Sequence, residues 1–148
     1  MPIKGTYYNA TLGAAPTTTS HLGYISSVSI SAITLTASGQ SVAALTSLVI
    51  GGTYVISATV VLQFTSSAAN QLEMSIQGAG GNIANNIIIP LGSYTTAATS
   101  NTMYMNCSGI YTHTASQNVV VNMSVSYATG NNIATISSAG SLKAIRIA

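Results

Sequence analysis

An all-β fold is predicted by the alternation of apolar and polar side chains, which recurs along the sequence while no stretch keeps the 3.6-residue period of a helix. Residues 51–64 alternate over their whole length, and residues 118–128 do so again. Short segments rich in Gly, Ser, Thr and Asn separate the alternating runs and have the composition of turns. The pattern predicts about eight or nine strands, which is typical of a β-sandwich or jelly roll.

Residues 1–20 differ from the rest, because they keep no period and contain two of the three prolines in the chain. We therefore predict an N-terminal arm or connector over residues 1–20 and one domain over residues 21–148. Tyr7 and Tyr8 are the predicted anchors of this arm, either on a partner protein or, as is more usual, on the arm's own domain. If the arm is only a tether, it is dispensable for folding.

The region before the central strand is predicted to contain two strands and a connector. Residues 22–37 alternate in two phases, and a phase shift within one run indicates a bulge or a bend between two short strands. Residues 38–41 have the composition of a turn, and residues 42–50 lead to the glycine pair at 51–52.

Residues 51–64 are the predicted central strand of the domain. One face of this strand is entirely apolar and is expected in the core: Tyr54, Ile56, Ala58, Val60, Leu62 and Phe64. The opposite face mixes hydroxyl groups with valines: Thr53, Val55, Ser57, Thr59, Val61 and Gln63. Because this second face is only half polar, we expect a neighbouring subunit or a half-wet surface against it.

Residues 71–77 alternate next, and the short polar segment before them predicts an antiparallel hairpin with the central strand. The side chains expected in the core are Leu72, Met74 and Ile76. Those expected to face outwards are Gln71, Glu73, Ser75 and Gln77. Residues 78–82 are predicted to form a glycine-rich loop, and residues 85–91 a short strand that Pro90 ends.

Five more extended segments are predicted in the last third of the chain. Met103, Met105 and Cys107 alternate with Tyr104, Asn106 and Ser108, and Gly109 then precedes a separate short piece at residues 110–114. Residues 118–128 have the cleanest alternation, with a predicted core face of Val119, Val121, Met123, Val125 and Tyr127. Shorter strands are expected at residues 133–136 and 142–148.

Charge is scarce in this chain. It has three basic residues and one acidic residue, so 3% of its side chains are charged, where soluble domains have about 25%. Such a surface offers little electrostatic protection against self-association, and we predict that much of it is covered in an assembly. The lack of a Lys/Arg patch argues against nucleic-acid binding, which depends on neutralising phosphates.

Hydropathy gives no sign of a membrane protein, because no run approaches the ~20 consecutive apolar residues that a membrane span needs. The N-terminal segment also lacks the apolar core of a secretion signal, so we do not expect export by the ordinary route. A protein that is assembled into virus particles inside a cell satisfies both expectations. The predicted localisation is therefore the virion.

The chemistry of an active site is missing from the sequence. Glu73 is the single carboxylate side chain, which excludes paired-carboxylate catalysis within one chain. His21 and His113 lack a third metal ligand, unless three copies of one histidine meet at a trimer axis. Cys107 lies among alternating apolar residues and is expected to be a small buried hydrophobe. We predict that the protein is not an enzyme and binds no cofactor or metal.

Two short motifs resemble those of the tumour-necrosis-factor and complement-type jelly-roll superfamily, especially its viral and phage members. One is the opening of the central strand, Gly52, Thr53 and Tyr54, and the other is the Ala-Ile-Arg-Ile segment at residues 144–147. The resemblance covers roughly residues 22–148 and implies an antiparallel jelly-roll β-sandwich of about eight to ten strands, packed as a tight trimer. Such trimers are common heads of fibres, spikes and virion surface proteins.

Two functions are open at this point. The first is a non-catalytic structural protein of a virus or phage particle, in a fibre head, a spike head or the capsid surface. Its expected partners are further copies in a trimer, other virion proteins, and a host-surface receptor or glycan. The alternative is a carbohydrate-binding module, in which the tyrosines of polar loops, Tyr94, Tyr104 and Tyr111, hold sugars by hydrogen bonds and ring stacking.

Overall fold

The computed structural model describes residues 22–35, 39–64, 69–88, 101–127, 134–136 and 140–148. The strands in these residues are β1 Ile25–Ile30, β2 Ile33–Thr34, β3 Gln40–Leu45, β4 Thr53–Phe64, β5 Ala69–Gly78, β6 Gly81–Ile88, β7 Asn101–Thr112, β8 Val119–Tyr127, β9 Ala134–Ile136 and β10 Gly140–Arg146. The predicted all-β fold is confirmed. In the described ranges, no helix is long and apolar enough to cross a membrane.

The strands form two antiparallel sheets. In the first sheet β4 is flanked by β7 on one side and by β10 on the other, and β1 pairs with the far edge of β10. The short strands β9 and β2 extend this sheet beyond the end of β10, since β9 pairs with residues 62–64 of β4. The second sheet has the order β3-β8-β5-β6.

The pairing is nested along the chain. The outermost strands β1 and β10 pair, then β3 with β8, β4 with β7, and finally β5 with β6. This order is that of one long antiparallel hairpin folded over into two sheets, which is the connectivity of a jelly roll. The predicted jelly-roll sandwich is therefore confirmed by the strand order.

The core lies between the sheets and contains the predicted face of the central strand. Tyr54, Ile56, Ala58, Val60 and Leu62 are all buried, as alternation in β4 requires. The second sheet contributes buried side chains of Leu45, Met74, Ile76, Val119 and Val121. The predicted burial of Tyr54, Ile56, Val60, Leu62 and Val121 is thus confirmed, whereas the side chains of Met123 and Val125 lie outside the described part of the structure.

The predicted hairpin between the central strand and residues 71–77 is wrong. Strand β4 pairs with β7, β9 and β10, while β5 lies in the opposite sheet between β6 and β8. A short connection can either turn within one sheet or pass to the facing sheet about 10 Å away. The alternation of side chains is the same in both cases, so the sequence pattern does not distinguish them.

Three predicted boundaries also need correction. Gln40, expected in a turn, is the first residue of β3, and the expected loop at residues 78–82 is a tight turn after which β6 begins at Gly81, with φ of 104°. The expected break at Gly109 does not occur, because β7 continues to Thr112. A Cβ at Gly109 would lie 2.8 Å from the carbonyl oxygen of Ile83, so this glycine allows the two sheets to approach closely rather than turning the chain.

The predicted bend between two short strands is confirmed at the start of the domain. Strand β1 ends at Ile30 and β2 begins at Ile33, and the exposed residues between them change the phase of the alternation. As a result Ile30 and Leu35 are both buried although they are five residues apart. Because the phase of the alternation changes, one apolar stretch of sequence forms two strands with different partners, β1 with β10 and β2 with β9.

Candidate assembly surface

Four exposed β-branched residues lie side by side across the outer face of the first sheet. In the strand registers Ile25 is opposite Ile145, Ile145 is opposite Val55, and Val55 is opposite Ile110. Their side chains are 57%, 39%, 36% and 71% exposed in the order Ile25, Ile145, Val55, Ile110. We call these four residues the apolar row.

The apolar row is unusual for the solvent face of an antiparallel sheet, which normally carries polar side chains. Directly opposed residues have Cβ atoms about 5 Å apart, so the four side chains form one continuous stripe of roughly 15 Å. Ile147, two positions beyond Ile145 on the same side of the chain and 44% exposed, enlarges this apolar area. Contiguous exposed apolar areas of more than a few hundred Å² are typical of contact sites.

The two rows next to the apolar row bear polar side chains. The next row of the register consists of Ser27, Lys143, Ser57 and Ser108, and the row after it of Ser29, Ser141, Thr59 and Asn106. Lys143 is exposed and is the one charged side chain in these three rows. Small side chains beside the apolar row allow another surface to approach it closely.

The outer face of the second sheet is different, because amide side chains cover it. The Asn122 side-chain amide donates a hydrogen bond to Gln77 Oε1 at 2.6 Å, and Gln77 Nε2 lies 3.5 Å from Ser75 Oγ. Ser75 was expected to face outwards and does lie on that face, yet it is buried, since Asn122 is its direct cross-strand neighbour. These three polar side chains are therefore already hydrogen-bonded within the subunit.

One end of the sandwich is closed by Tyr54 and the glycine two residues before it. The Tyr54 hydroxyl accepts a hydrogen bond from the Val49 backbone N–H at 2.9 Å. A Cβ at Gly52 would lie 2.9 Å from the Tyr54 ring, so the ring occupies the space that any other side chain would need. This packing of the Tyr54 ring explains the Gly-x-Tyr spacing in the sequence.

A second tyrosine and a buried histidine close the same end from the β7 side. The Tyr111 hydroxyl accepts a hydrogen bond from the Ala79 N–H at 3.2 Å and lies 3.3 Å from His113 Nδ1. His113 is buried, and its backbone is hydrogen-bonded to Gly51 and Gly52. Burial lowers the pKa of His113 from its ordinary value, because the charged imidazolium is less well solvated there.

The tyrosines proposed for sugar binding are not brought together. Tyr104 and Tyr111 lie in strand β7 and not in loops, and because they are seven residues apart they point to opposite faces, about 24 Å from each other along the strand. Tyr104 is 71% exposed, whereas Tyr111 is partly buried with its hydroxyl engaged. Tyr94, Tyr7 and Tyr8 lie outside the described residues.

A small cleft does lie beside Tyr111, at the turn between β5 and β6. Its volume is about 200 Å³, and it is lined by Gly80, Gly81, Asn82, Ile83, Ile110 and Tyr111. Apolar walls with a single exposed side-chain amide can hold a small polar ligand of low charge. The sequence did not single out Asn82 or Ile83 for this position.

The described residues contain neither a metal cluster nor a reactive thiol. They include no group of three His, Cys, Asp or Glu side chains that could hold a metal ion. His113 is buried inside the subunit against Tyr111, which is unsuited to a metal site shared at a trimer axis. Cys107 is buried as expected, and burial raises its pKa to about 11, so the thiol stays protonated and inert at neutral pH.

The fold and the surface together define a jelly-roll β-sandwich with one uncovered apolar row. No protein-family model and no curated protein matches the chain. It is similar to a chain in the structure of infectious bursal disease virus Gx strain, with 14% identity and a TM-score of 0.49 over 82% of this chain. It is also similar to a chain in the crystal structure of the T13 IBDV viral particle, with 9% identity and a TM-score of 0.46 over 83% of this chain.

This chain spans 32% and 31% of the length of those two viral chains. At such low identity and TM-score, the likeness carries no argument about function. The function has to be argued from the chain's own residues.

Sequence reasoning anticipated part of the apolar row. It placed Val55 on the half-apolar face of the central strand and expected either a neighbouring subunit or a half-wet surface there, but it did not single out Ile25, Ile110 or Ile145. Ile110 was assigned to a separate piece after Gly109. If the alternation of Met105 and Cys107 is continued through Gly109, Ile110 falls on the outer face.

Proposed function

We propose that this chain is a non-catalytic structural protein of a virus particle, a jelly-roll subunit located in the virion. It assembles with further copies of itself, as the trimer that the resemblance implies, and with other virion proteins. The position in the particle is a fibre head, a spike head or the capsid surface, where a host-surface receptor or glycan is a further partner.

The observation that supports this proposal is a complete jelly-roll sandwich built with almost no charge. Four charged side chains in 148 residues, one of them a carboxylate, leave the chain without a carboxylate pair for catalysis and with little of the electrostatic repulsion that keeps monomers apart. Hydroxyl and amide groups supply the surface polarity, and their hydrogen bonding changes little with pH or ionic strength. These properties suit a subunit that is packed permanently among others and must persist outside a cell.

Native mass in solution tests the proposal. We expect the purified full-length chain to have the mass of a trimer by light scattering and native mass spectrometry at micromolar concentration. A monodisperse monomer across the accessible concentration range would contradict the homo-oligomeric part of the proposal. Cofractionation with intact particles, detected by an antibody against the chain, tests the virion localisation separately.

A carbohydrate-binding module is the second candidate, and the cleft beside Tyr111 favours it. Its one exposed amide, Asn82, and its apolar walls fit a single neutral sugar unit, for which charge is not needed. A glycan array with the intact oligomer tests this function, and the Asn82→Ala variant should lose any binding that uses the cleft. Sugar binding unchanged by that substitution would remove the cleft from consideration.

A further inference from the structure

We infer that His113 is part of an acid-sensitive latch, which holds the turn between β5 and β6 against the first sheet and releases it when the His113 ring takes up a proton. The turn is residues 79–80, which join Gly78 at the end of β5 to Gly81 at the start of β6. The latch acts within one subunit, so it goes beyond the proposed function and does not depend on any oligomeric state.

A chain of hydrogen-bonding groups connects the two sheets at this end of the sandwich. His113 Nδ1 lies 3.3 Å from the Tyr111 hydroxyl, and that hydroxyl accepts a hydrogen bond from the Ala79 backbone N–H at 3.2 Å. Tyr111 belongs to β7 of the first sheet, whereas Ala79 directly follows β5 of the second. We call His113, Tyr111 and Ala79 the latch, because they link a buried histidine beside one sheet to a turn of the other.

The position of the turn depends on the Tyr111 side chain. Within the described residues, the contact from the Ala79 N–H to the Tyr111 hydroxyl is the one hydrogen bond between the turn and the first sheet. The Tyr111 ring also lies over Gly78, where an added Cβ would be 2.7 Å from it, whereas a Cβ at Gly80 would meet no atom within 4 Å. A movement of the Tyr111 side chain therefore frees the turn.

The His113 ring is fixed in a site that water scarcely reaches. Its backbone N–H donates to the Gly52 carbonyl oxygen at 2.9 Å, and its carbonyl oxygen accepts from the Gly51 N–H at 2.7 Å. The residue is 4% exposed, and 5.8 Å separate the centroids of its ring and the Tyr111 ring. The neutral ring can either accept from or donate to the Tyr111 hydroxyl, whereas a protonated ring can only donate.

The surroundings of His113 offer nothing to balance a positive charge. The other titratable side chains described at this end of the sandwich are neutral or positive in weak acid: Tyr24, Tyr54, Tyr111 and Arg146. Glu73 is the single carboxylate side chain of the chain, and it lies on the outer face of the second sheet, five residues before the end of β5. The carbonyl oxygen of Ala148 accepts from Arg146 Nε, on the side of β4 away from β7. A charge on His113 is therefore stabilised only by contact with water.

Protonation consequently favours a state in which the His113 ring is exposed. A buried ring that lacks a negative partner binds a proton less readily than an exposed one, so a fall in pH raises the population of open states. Exposure separates the ring from the Tyr111 hydroxyl and loosens the link to Ala79. The cleft beside Tyr111 changes shape as well, because Tyr111 is one of its walls.

The opening is expected to stay local to this end of the sandwich. The ladders between β4 and β7 and between β5 and β6 are made by backbone groups, and the side chains of the latch take no part in them. Both sheets therefore keep their strand pairing when the latch opens. Local openings of this kind expose little surface and are distinguished from global unfolding by their weak response to denaturant.

Hydrogen exchange of the Ala79 amide, measured by NMR on the full-length chain, tests the latch. Ala58 is the reference for global unfolding, because it is paired on both sides in the middle of β4. Between about pH 7.5 and about pH 5.5, the protection factor of Ala79 should fall several-fold, up to about 10-fold, since the lower pH is about one unit below the ordinary pKa of histidine. Exchange at Ala79 should change little in dilute denaturant, whereas exchange at Ala58 should increase.

Two pairs of variants assign the effect to the latch. His113→Asn places an amide near the position of Nδ1 but does not titrate, so the protection factor of Ala79 should no longer depend on pH. Its matched control is His21→Asn, which removes the other histidine of the chain and should behave as the unaltered chain does. Tyr111→Phe keeps the ring but removes the hydroxyl, and it should lower the protection of Ala79 already at neutral pH. Its matched control is Tyr104→Phe, whose side chain is exposed on the same strand.

Circular dichroism with thermal melting shows whether each variant is folded. The inference is overturned if the Ala79 protection factor of the unaltered chain is independent of pH, or if Ala79 responds to denaturant as Ala58 does, since the opening is then global. Loss of the pH dependence in His21→Asn but not in His113→Asn also overturns it. If His113→Asn does not fold, the tyrosine pair decides, because equal protection of Ala79 in Tyr111→Phe and Tyr104→Phe contradicts the latch.

Discussion

Gly52 and Tyr54 show how a short sequence motif is set by packing between two residues. Tyr54 is almost fully buried, and its ring stands where a Cβ at position 52 would be. The ring cannot move aside without losing the hydrogen bond from Val49 to its hydroxyl. Together these two residues fix the start of the central strand.

We expect Gly52→Ala to lower the free energy of unfolding by about 1–3 kcal/mol, the usual cost of overpacking a filled site. Chemical denaturation of the two proteins under the same conditions measures this difference. The matched control is Gly80→Ala, where an added Cβ meets no atom within 4 Å. Equal losses in the two variants would show that contact with the Tyr54 ring is not responsible.

His113 makes the stability of the fold depend on pH, and the sign follows from its burial. Its pKa in the folded state is below the ordinary histidine value of about 6.5 because burial disfavours the charged form. The unfolded chain therefore binds a proton more readily than the folded one, and stability falls as pH drops below about 6.5. Below the lowered pKa of the folded state, His113 is protonated in both the folded and the unfolded chain. Its contribution to the loss of stability then stops increasing.

Denaturant unfolding at a series of pH values between 8 and 5 measures this effect. The His113→Gln variant, which keeps a polar side chain of similar reach, should show a flatter stability profile over the same range. If the profile of the unaltered chain is already flat, or if the variant keeps the same slope, His113 is not the group responsible. Hydrogen exchange at Ala79, whose N–H is bonded to Tyr111, should follow the same pH dependence.

At the scale of elements, alternation identified which faces of β4, β5 and β8 enter the core at their described side chains, but not which strands pair. The central strand was predicted correctly because every second residue from Tyr54 to Leu62 is apolar, and all of them are buried. Its partners were missed, since β7 and β10 are distant in the sequence and no local signal marks a pairing partner. Gly109 was misread for a related reason, because a glycine that admits a neighbouring backbone looks the same in sequence as one that ends a strand.

The N-terminal arm gives a prediction at this scale. Residues 1–20 are predicted to be a tether that contributes little to the stability of the domain, so deletion through Thr19 should leave the melting temperature and the oligomeric state nearly unchanged. Incorporation into the parent particle should be impaired. If Tyr7 and Tyr8 instead fill a site on the domain, their loss costs several kcal/mol, on the order of a large-to-small aromatic substitution for each.

Differential scanning calorimetry of the truncated protein decides between these two roles of the arm. The replacement of Tyr7 and Tyr8 by Ala in the full-length chain is the matched control, since it keeps the length of the arm. A strongly lowered melting temperature in both proteins would contradict the tether interpretation.

At the scale of the whole molecule, the apolar row shows what a sequence pattern does not reveal. Its members are at positions 25, 55, 110 and 145, and each is an ordinary exposed residue when its own strand is considered alone. The jelly-roll connectivity aligns them, because it places β10 between β1 and β4 and puts β7 on the other side of β4. Only the registers of three strand pairings show that four isolated residues form one surface.

Self-association of a chain with so few charges should respond to salts in a characteristic way. Exposed ion pairs weaken as ionic strength rises, but four charged side chains offer little to be screened. We therefore expect the dissociation constant to change little between low and moderate sodium chloride, and to decrease in sulfate, which strengthens apolar burial. Sedimentation in both salts measures this, and marked dissociation by sodium chloride would indicate an interface held by Glu73, Lys143 or Arg146 instead.

The position of β10 between β1 and β4 also has a consequence for synthesis. A ribosome makes residues 140–146 near the end of this sequence, and until they emerge β1 lacks its partner and β4 has an open edge. A chain that stops before residue 140 also lacks Ile145, so neither its first sheet nor its apolar row is complete. We therefore expect chains that stop before residue 140 to fail to fold, because the first sheet then lacks the strand that joins β1 to β4.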